Sequence, residues 1–278
     1  MGTIATTGAA SHRLAGRWPR PAVRLRLYQA IFAIGVFGFW QYASGRLIDA
    51  FWVSSPSAIA AWLWDGFSSG YLVTHCLVTF WEAGLGFAIG AVAGVLTGLV
   101  LAVAETPRRI LDPYFMAIYG MPRIALAPLF IIWFGIGTSS KVVLVVIIVF
   151  LLVFYNTYQG VLNAPANLIR LVRVLGASEH QVWTKVILPS ASPWIITGLR
   201  ISVPQALVGA VVGEFIAASQ GLGYVIQFQS SLFNTTGAMG GIAIMAFAVV
   251  VINDVLDRVE RRLMRWRPKE TAATTAES

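Results

Sequence analysis

The chain is short of charge and almost without cysteine. Only 12% of its 278 residues are charged, against roughly 25% in an average soluble domain, while 57% are hydrophobic, so a water-facing surface cannot be maintained and lipid is the expected solvent. The one cysteine, Cys76, excludes an intrachain disulfide framework, and His12, His75 and His180 are too scattered for a metal cluster. No metal ligand is assigned. The short alternating runs of a membrane β-barrel are missing. Missing too is the G-x-x-x-x-G-K-S/T phosphate loop of a nucleotide hydrolase. Serine, histidine and carboxylates do not assemble at the spacings of an intramembrane enzyme, so no catalytic residue is assigned. A self-sufficient secondary transporter or channel remains the alternative to any assisted one, although the internal repeats it favours are not detectable.

What is present is a series of apolar stretches close to the roughly 20 residues that cross a bilayer. They lie at 27–43, 75–104, 114–135, 142–161, 193–217 and 237–256. In hydrocarbon each backbone N–H and C=O must be bonded within its own segment. This predicts an all-α polytopic membrane protein with about six transmembrane helices, even for the fourth stretch, whose β-branched run resembles a strand. Residues 1–21 read as a basic cytoplasmic tail, 22–267 as one transmembrane domain and 268–278 as a flexible tail.

Charge sets the orientation. Arg13, Arg17, Arg20, Arg24 and Arg26 precede the first span; Arg108 and Arg109 follow the second; Arg170, Arg173 and Lys185 follow the fourth; Arg258, Arg261, Arg262, Arg265, Arg267 and Lys269 follow the sixth. The opposite side carries only Arg46 and Lys141, so both termini are expected in the cytoplasm. Because the basic residues are divided among loops, nucleic acid is not an expected partner. On the outer side, Trp62 and Trp64 fall where an interfacial helix places rings at headgroup level.

The cytoplasmic loop 163–192 is far longer than the roughly 4–6 residues of a simple connection. Pro165 can start a helix through Ile169, Val172 and Leu175 that Gly176 ends. Ser178 and Gln181 have the spacing of a capping box for a second helix. Val182, Trp183, Val186 and Ile187 share one face of it, His180 and Thr184 another, and Pro189 is expected to stop it.

These residues carry a family resemblance. Arg173-Val-Leu-Gly176-Ala177-Ser178, then Val186-Ile-Leu188-Pro189 and Gly198-Leu199-Arg200, resemble the cytoplasmic signature loop of bacterial ABC importer permeases. Where that motif begins with Glu-Ala-Ala, this chain has Arg170, Leu171 and Val172. Further stretches resemble the sulfonate, taurine and nitrate subgroup: Met121-Pro122-Arg123, Ala127-Pro128-Leu129, Trp133-Phe134-Gly135-Ile-Gly137 with Lys141, Gly213-Glu214-Phe215 and Gly221-Leu-Gly223-Tyr224.

The resemblance implies a type I importer permease in the bacterial inner membrane, with no cofactor of its own. ATP and magnesium would sit on separate cytoplasmic ATPase subunits, an extracytoplasmic binding protein would deliver solute, and a second permease copy would complete the pathway, as a homodimer. The solute would be a small anion such as an aliphatic sulfonate, taurine or nitrate, although relatives also carry neutral and heteroaromatic compounds. Contact with the ATPase falls to Arg173, Gly176, Ala177, Ser178, Glu179, His180, Val182, Trp183, Lys185, Leu188 and Pro189.

Within the spans, Gly86, Gly90, Gly94 and Gly98 recur every four residues, which allows close helix approach. Pro122 and Pro128 are expected to interrupt the third span, and Pro193 and Pro204 the fifth. Glu82, Arg123, Arg200 and Glu214 must face protein or water. Arg123, Pro128, Arg200 and Glu214 are the pathway candidates. Either arginine can attract an anion, reach the cytoplasmic boundary or pair with an acid, and Glu214 can meet solute or a neighbouring subunit.

Overall fold

The structure, a computed structural model, describes residues 21–263. The expected tails, with Arg13, Arg17, Arg20, Arg265, Arg267 and Lys269, lie outside the described residues. In chain order the helices are α1 (Pro21–Ala43), α2 (Pro56–Ser68), α3 (Tyr71–Val103), α4 (Glu105–Gly120), α5 (Ala127–Phe134) and α6 (Thr138–Leu162). They continue with α7 (Ala166–Val174), α8 (Glu179–Val182), α9 (Leu188–Ala217), α10 (Leu222–Ser231) and α11 (Thr235–Leu263).

Four helical runs are long and apolar enough to cross a membrane: α3, α6, a continuous run Glu179–Ala217, and α11 over Thr235–Arg262. A fifth crossing exists if the bent pair Ile110–Gly120 and Arg123–Phe134 is one span. The expected count of about six therefore becomes four or five among the described residues. The expected first span does form a helix, α1, but Arg24, Arg26, Gln29 and Gln41 dilute its apolar run.

Helix α6 occupies the centre. Of its most apolar stretch 61% is buried, against 22% for α11, which lies at the outside. Its run of valines and isoleucines stays helical because nothing around it supplies strand partners. It is clamped between α3 and α9 by a core of Ala83 and Ala91, Val145, Val149 and Val153, and Ala206, Leu207 and Ala210. On the α3 side the approach is through Gly86, Gly90, Gly94 and Gly98. A methyl group added at these positions would stand 2.5 Å from Val145 Cβ, 2.7 Å from the Val146 carbonyl, 2.9 Å from the Phe150 carbonyl and 2.8 Å from Thr157 Cβ. Glycine lets the two backbones meet.

The third apolar stretch is folded, not kinked. Helix α4 ends at Gly120, Met121 is extended (φ −68°, ψ 140°) as the residue before a proline must be, and a 3-10 turn over Arg123–Leu126 leads into α5. The two arms meet at 86°. Pro122 marks this break. Pro128 interrupts nothing, because it stands in the first turn of α5, where a missing N–H has no partner to lose.

Nor do Pro193 and Pro204 interrupt the fifth span, since α9 runs through both. The carbonyl freed by Pro193 is that of Pro189, and the Ser192 hydroxyl donates to it at 2.9 Å. Outside the bundle, α2 is capped by Ser55, whose oxygen accepts from the Ala58 amide at 3.2 Å. The tryptophan pair expected at headgroup level divides. Trp62 packs over Gly240 of α11, and only Trp64, 76% exposed, points away from the protein.

Candidate functional site

The cytoplasmic segment begins where α6 ends. Helix α7 closes with two hydrogen bonds, from the Gly176 amide to the Arg173 carbonyl and from the Ala177 amide to the Val172 carbonyl, both 3.0 Å. This closure needs a left-handed residue, and Gly176 supplies it at φ +84°. Two residues later the chain starts helix again. The Gln181 amide donates to Ser178 Oγ at 3.4 Å and the Ser178 amide to Gln181 Oε1 at 2.9 Å, a reciprocal cap. Across the turn, Arg173 meets Glu179 through two nitrogens, each 3.0 Å from a carboxylate oxygen. Both side chains are more than half exposed, so this pair orients α7 against α8 and contributes little stability.

Pro189 does not stop the second helix. After α8 the chain passes through a π-helical turn, Trp183–Ile187, and enters α9 without a break. A proline ring clashes with the carbonyl four residues back and offers it no N–H; the wider turn just before Pro189 makes room for it. Leu188 is thus the first residue of the spanning helix instead of the last of a surface one. Val182, Val186 and Ile187 are buried and Trp183 is half-buried; Val182, Trp183 and Ile187 pack with Phe154, Tyr158 and Ala191. His180, Thr184 and Lys185 face outward.

Helix α7 carries a second apolar stripe that the sequence reading passed over. Ile169 and Val172 pack inward, yet Leu168, Leu171, Val174 and Leu175 are exposed, the last two at 86% and 76%. Leu175, expected on the same run as Ile169 and Val172, thus lies on the exposed face, and Leu168, Leu171 and Val174 join it at helical spacing. Arg170 stands exposed on the same helix, and a cavity of about 380 Å³ separates α7 from the run that follows.

Deeper in the protein, the four pathway candidates share no hydrogen-bond partner. Arg200 is paired with Asp257 and, at 2.5 Å, with Glu260, both on α11, so its charge is already balanced. Pro128 serves the start of α5. Glu214 is buried and belongs to a cap. Its Oε1 accepts from Thr79 Oγ1 at 2.7 Å and its Oε2 from the Gly223 amide at 2.6 Å. The Leu222 amide donates to Thr79 Oγ1 at 2.8 Å, and the Gly221 amide to His75 Nδ1 at 3.0 Å. Three of the free amides at the start of α10 are thereby satisfied by side chains from α3 and α9. His75 and Thr79 were not singled out for this, because their target lies about 140 residues away in sequence. Arg123 stands at the break of the third span, donating from Nη2 to the Tyr119 carbonyl at 2.9 Å.

Lys141 requires a correction. It is not an outer-loop charge but a buried one, with Nζ 2.5 Å from Glu82 Oε1, which ties α6 to α3. Arg46 is then the one basic residue left of the two assigned to the outer side. The asymmetry that places the termini in the cytoplasm becomes sharper.

Residues 86–267 match the family described as the inner membrane component of binding-protein-dependent transport systems, which is more than half the chain. The chain belongs to this family of ABC importer permeases. The permease is 32% identical over 247 residues to the putative aliphatic sulfonates transport permease protein of Bacillus subtilis, covering 89% of this chain and 86% of that one. It is 32% identical over 261 residues to the taurine transport system permease protein of Escherichia coli, covering 92% and 94%. It is also 35% identical over 231 residues to the riboflavin transport system permease protein of Chloroflexus aurantiacus, covering 82% and 85%. Its fold matches a chain of the inward-facing MetNI methionine ABC transporter with a TM-score of 0.61, over 69% of this chain and 95% of that one, at 21% identity. The permease is therefore a non-catalytic, multi-pass inner membrane subunit that works with an ATPase and a substrate-binding protein. The self-sufficient transporter is set aside.

Proposed function

We propose that the permease imports a small organic solute with an anionic head group, such as an aliphatic sulfonate or taurine, and that α7 and α8 are the surface gripped by its ATPase. Names among its relatives support the anion, although a riboflavin permease is equally similar and marks the other branch of the choice. A second copy of this chain completes the pathway. Trp133, Phe134 and Ile136, each more than half exposed at the end of the folded third span, suit such a partner.

One observation carries the coupling: Glu179–Ala217 is a single helical run, so a displacement at Glu179 is a displacement of a spanning helix. On this reading Arg173, Gly176, Ala177 and Ser178 set the angle between α7 and α8. Glu179, His180 and Lys185, with the exposed Leu171, Val174 and Leu175, form the contact surface. Val182, Trp183, Leu188 and Pro189 join that surface to the bundle.

The test is purification of the tagged chain from its native membrane in mild detergent. An ATPase subunit is expected to accompany the wild type, to be lost with Gly176→Pro and Glu179→Arg, and to persist with Arg46→Glu on the outer side. Undiminished recovery with both loop variants would move the docking surface elsewhere.

A further inference from the structure

Two of the cations carried by the spanning helices are neutralised by carboxylates on neighbouring helices: Lys141 by Glu82, and Arg200 by Asp257 and Glu260. Arg123 is different. Among the described residues no carboxylate pairs with it. Its guanidinium gives one N–H to the Tyr119 carbonyl and lies 5.0 Å from the centre of the Tyr119 ring, which is itself stacked on Tyr155 at 4.6 Å. Nε is buried without a hydrogen-bond partner. A guanidinium has five N–H donors, so most of its capacity is unused.

The side chain borders a cavity of about 240 Å³ between the Met121–Pro122 break, Ile148 of α6, and Gln205 and Val208 of α9. Ile148 and Gln205 stand near the middle of their helices, which puts the cavity near mid-depth of the bundle. A cation at that depth needs an opposite charge or water. Gln205 and Val208 of the lining are exposed, and among the described residues Gln205 makes no hydrogen bond that would hold its amide away.

We propose that this cavity is an oxyanion site on the translocation pathway, in which Arg123 holds the head group of a small sulfonate or carboxylate and the Gln205 amide donates from the facing helix. The inference rests on the small-anion reading above and gives it a location. The planar fork of an arginine suits a sulfonate or carboxylate, whose oxygens can accept two parallel bonds. The tyrosine ring beneath fixes the plane of that fork. At about 240 Å³ the space is below the roughly 300–1,000 Å³ that encloses drug-sized ligands, which disfavours a flavin-sized solute. The two halves of the site also belong to different bodies. Gln205 rides on the helix that reaches the cytoplasmic surface, and Arg123 on the folded third span, so movement of α9 separates them and lets the anion go.

The experiment uses the permease purified with its ATPase in lipid nanodiscs and titrated calorimetrically with ethanesulfonate, propionate and the neutral ethyl methyl sulfone. Saturable binding of one or both anions, and none of the sulfone, is expected for the wild type, and the better anion identifies the head group. Arg123→Gln should weaken anion binding about ten-fold or more, while Arg123→Lys should recover part of it by charge without the fork. Should Arg123→Gln fail to fold, Gln205→Leu, on the exposed wall, is expected to weaken binding about three-fold or more, the scale of one lost hydrogen bond. Equal anion affinity in wild type, Arg123→Gln and Gln205→Leu overturns the proposal, as does sulfone binding as tightly as the anions. Absence of saturable anion binding with the ATPase still attached also overturns it and leaves the coupling surface untouched. Loss of the ATPase with anion binding intact would reject the coupling surface and not this site.

Discussion

The two ends of α9 are held in opposite ways. At the outer end, α10 turns back under Glu214, Thr79 and His75, whose hydrogen bonds are buried, and the ion pair of Glu82 and Lys141 sits beside them. At the inner end the helix passes through a π-helical turn to α8, whose cap and ion pair are exposed. Buried polar bonds are costly to open, and exposed ones exchange readily with water. The difference indicates that α9 is anchored outside and adjustable inside, as the coupling proposed above requires.

That contrast can be broken at either end. The largest effect is expected for Lys141→Met, which leaves Glu82 charged and alone in the interior. Stability should fall by about 3–5 kcal/mol, read as a lower melting temperature in detergent. The double variant Glu82→Leu with Lys141→Met should recover most of the loss, because an apolar pair replaces both charges. Next comes Gly221→Ala at the outer turn. The added methyl would lie 2.2 Å from the Glu214 carboxylate at a residue with φ +113°, and a loss of about 1–3 kcal/mol is expected in the same assay. The smallest is Ser178→Ala at the inner end, about 1 kcal/mol of cap. It should appear as faster amide exchange at the start of α8, with hardly any change in melting temperature. Similar global destabilisation by all three single variants would erase the distinction between the ends.

Local signals in the sequence were reliable guides where one element decides its own form. Gly176 as a helix stop and the Ser178–Gln181 cap involve residues within a turn of one another, and both are legible by spacing alone. Signals that join distant parts were not. Lys141 stands at the edge of an apolar run and reads as loop, because Glu82 gives no local sign that it will meet it. His75 reads as an isolated histidine because its partner is an amide on α10. The third span shows the limit of hydropathy, since an apolar stretch says nothing of direction and an 86° fold at Met121–Pro122 leaves its composition unchanged. Pro189 misleads in the other direction. A proline excludes the regular α-helical bond, but a wider turn evades the exclusion.

The run from Glu179 to Ala217 holds 39 residues. At 1.5 Å per residue it is about 58 Å long, nearly twice the roughly 30 Å of a bilayer's hydrocarbon core. One continuous helical run therefore lives in two solvents, its upper part matched to the lipid and the outward face of its lower part in water. A thinner membrane must tilt or sink such a rod, and whatever tilts its upper part swings its foot. On the coupling proposed above, the ATPase senses the thickness of the membrane through this helix, and its rate in reconstituted bilayers should vary with acyl chain length even when the solute is held constant.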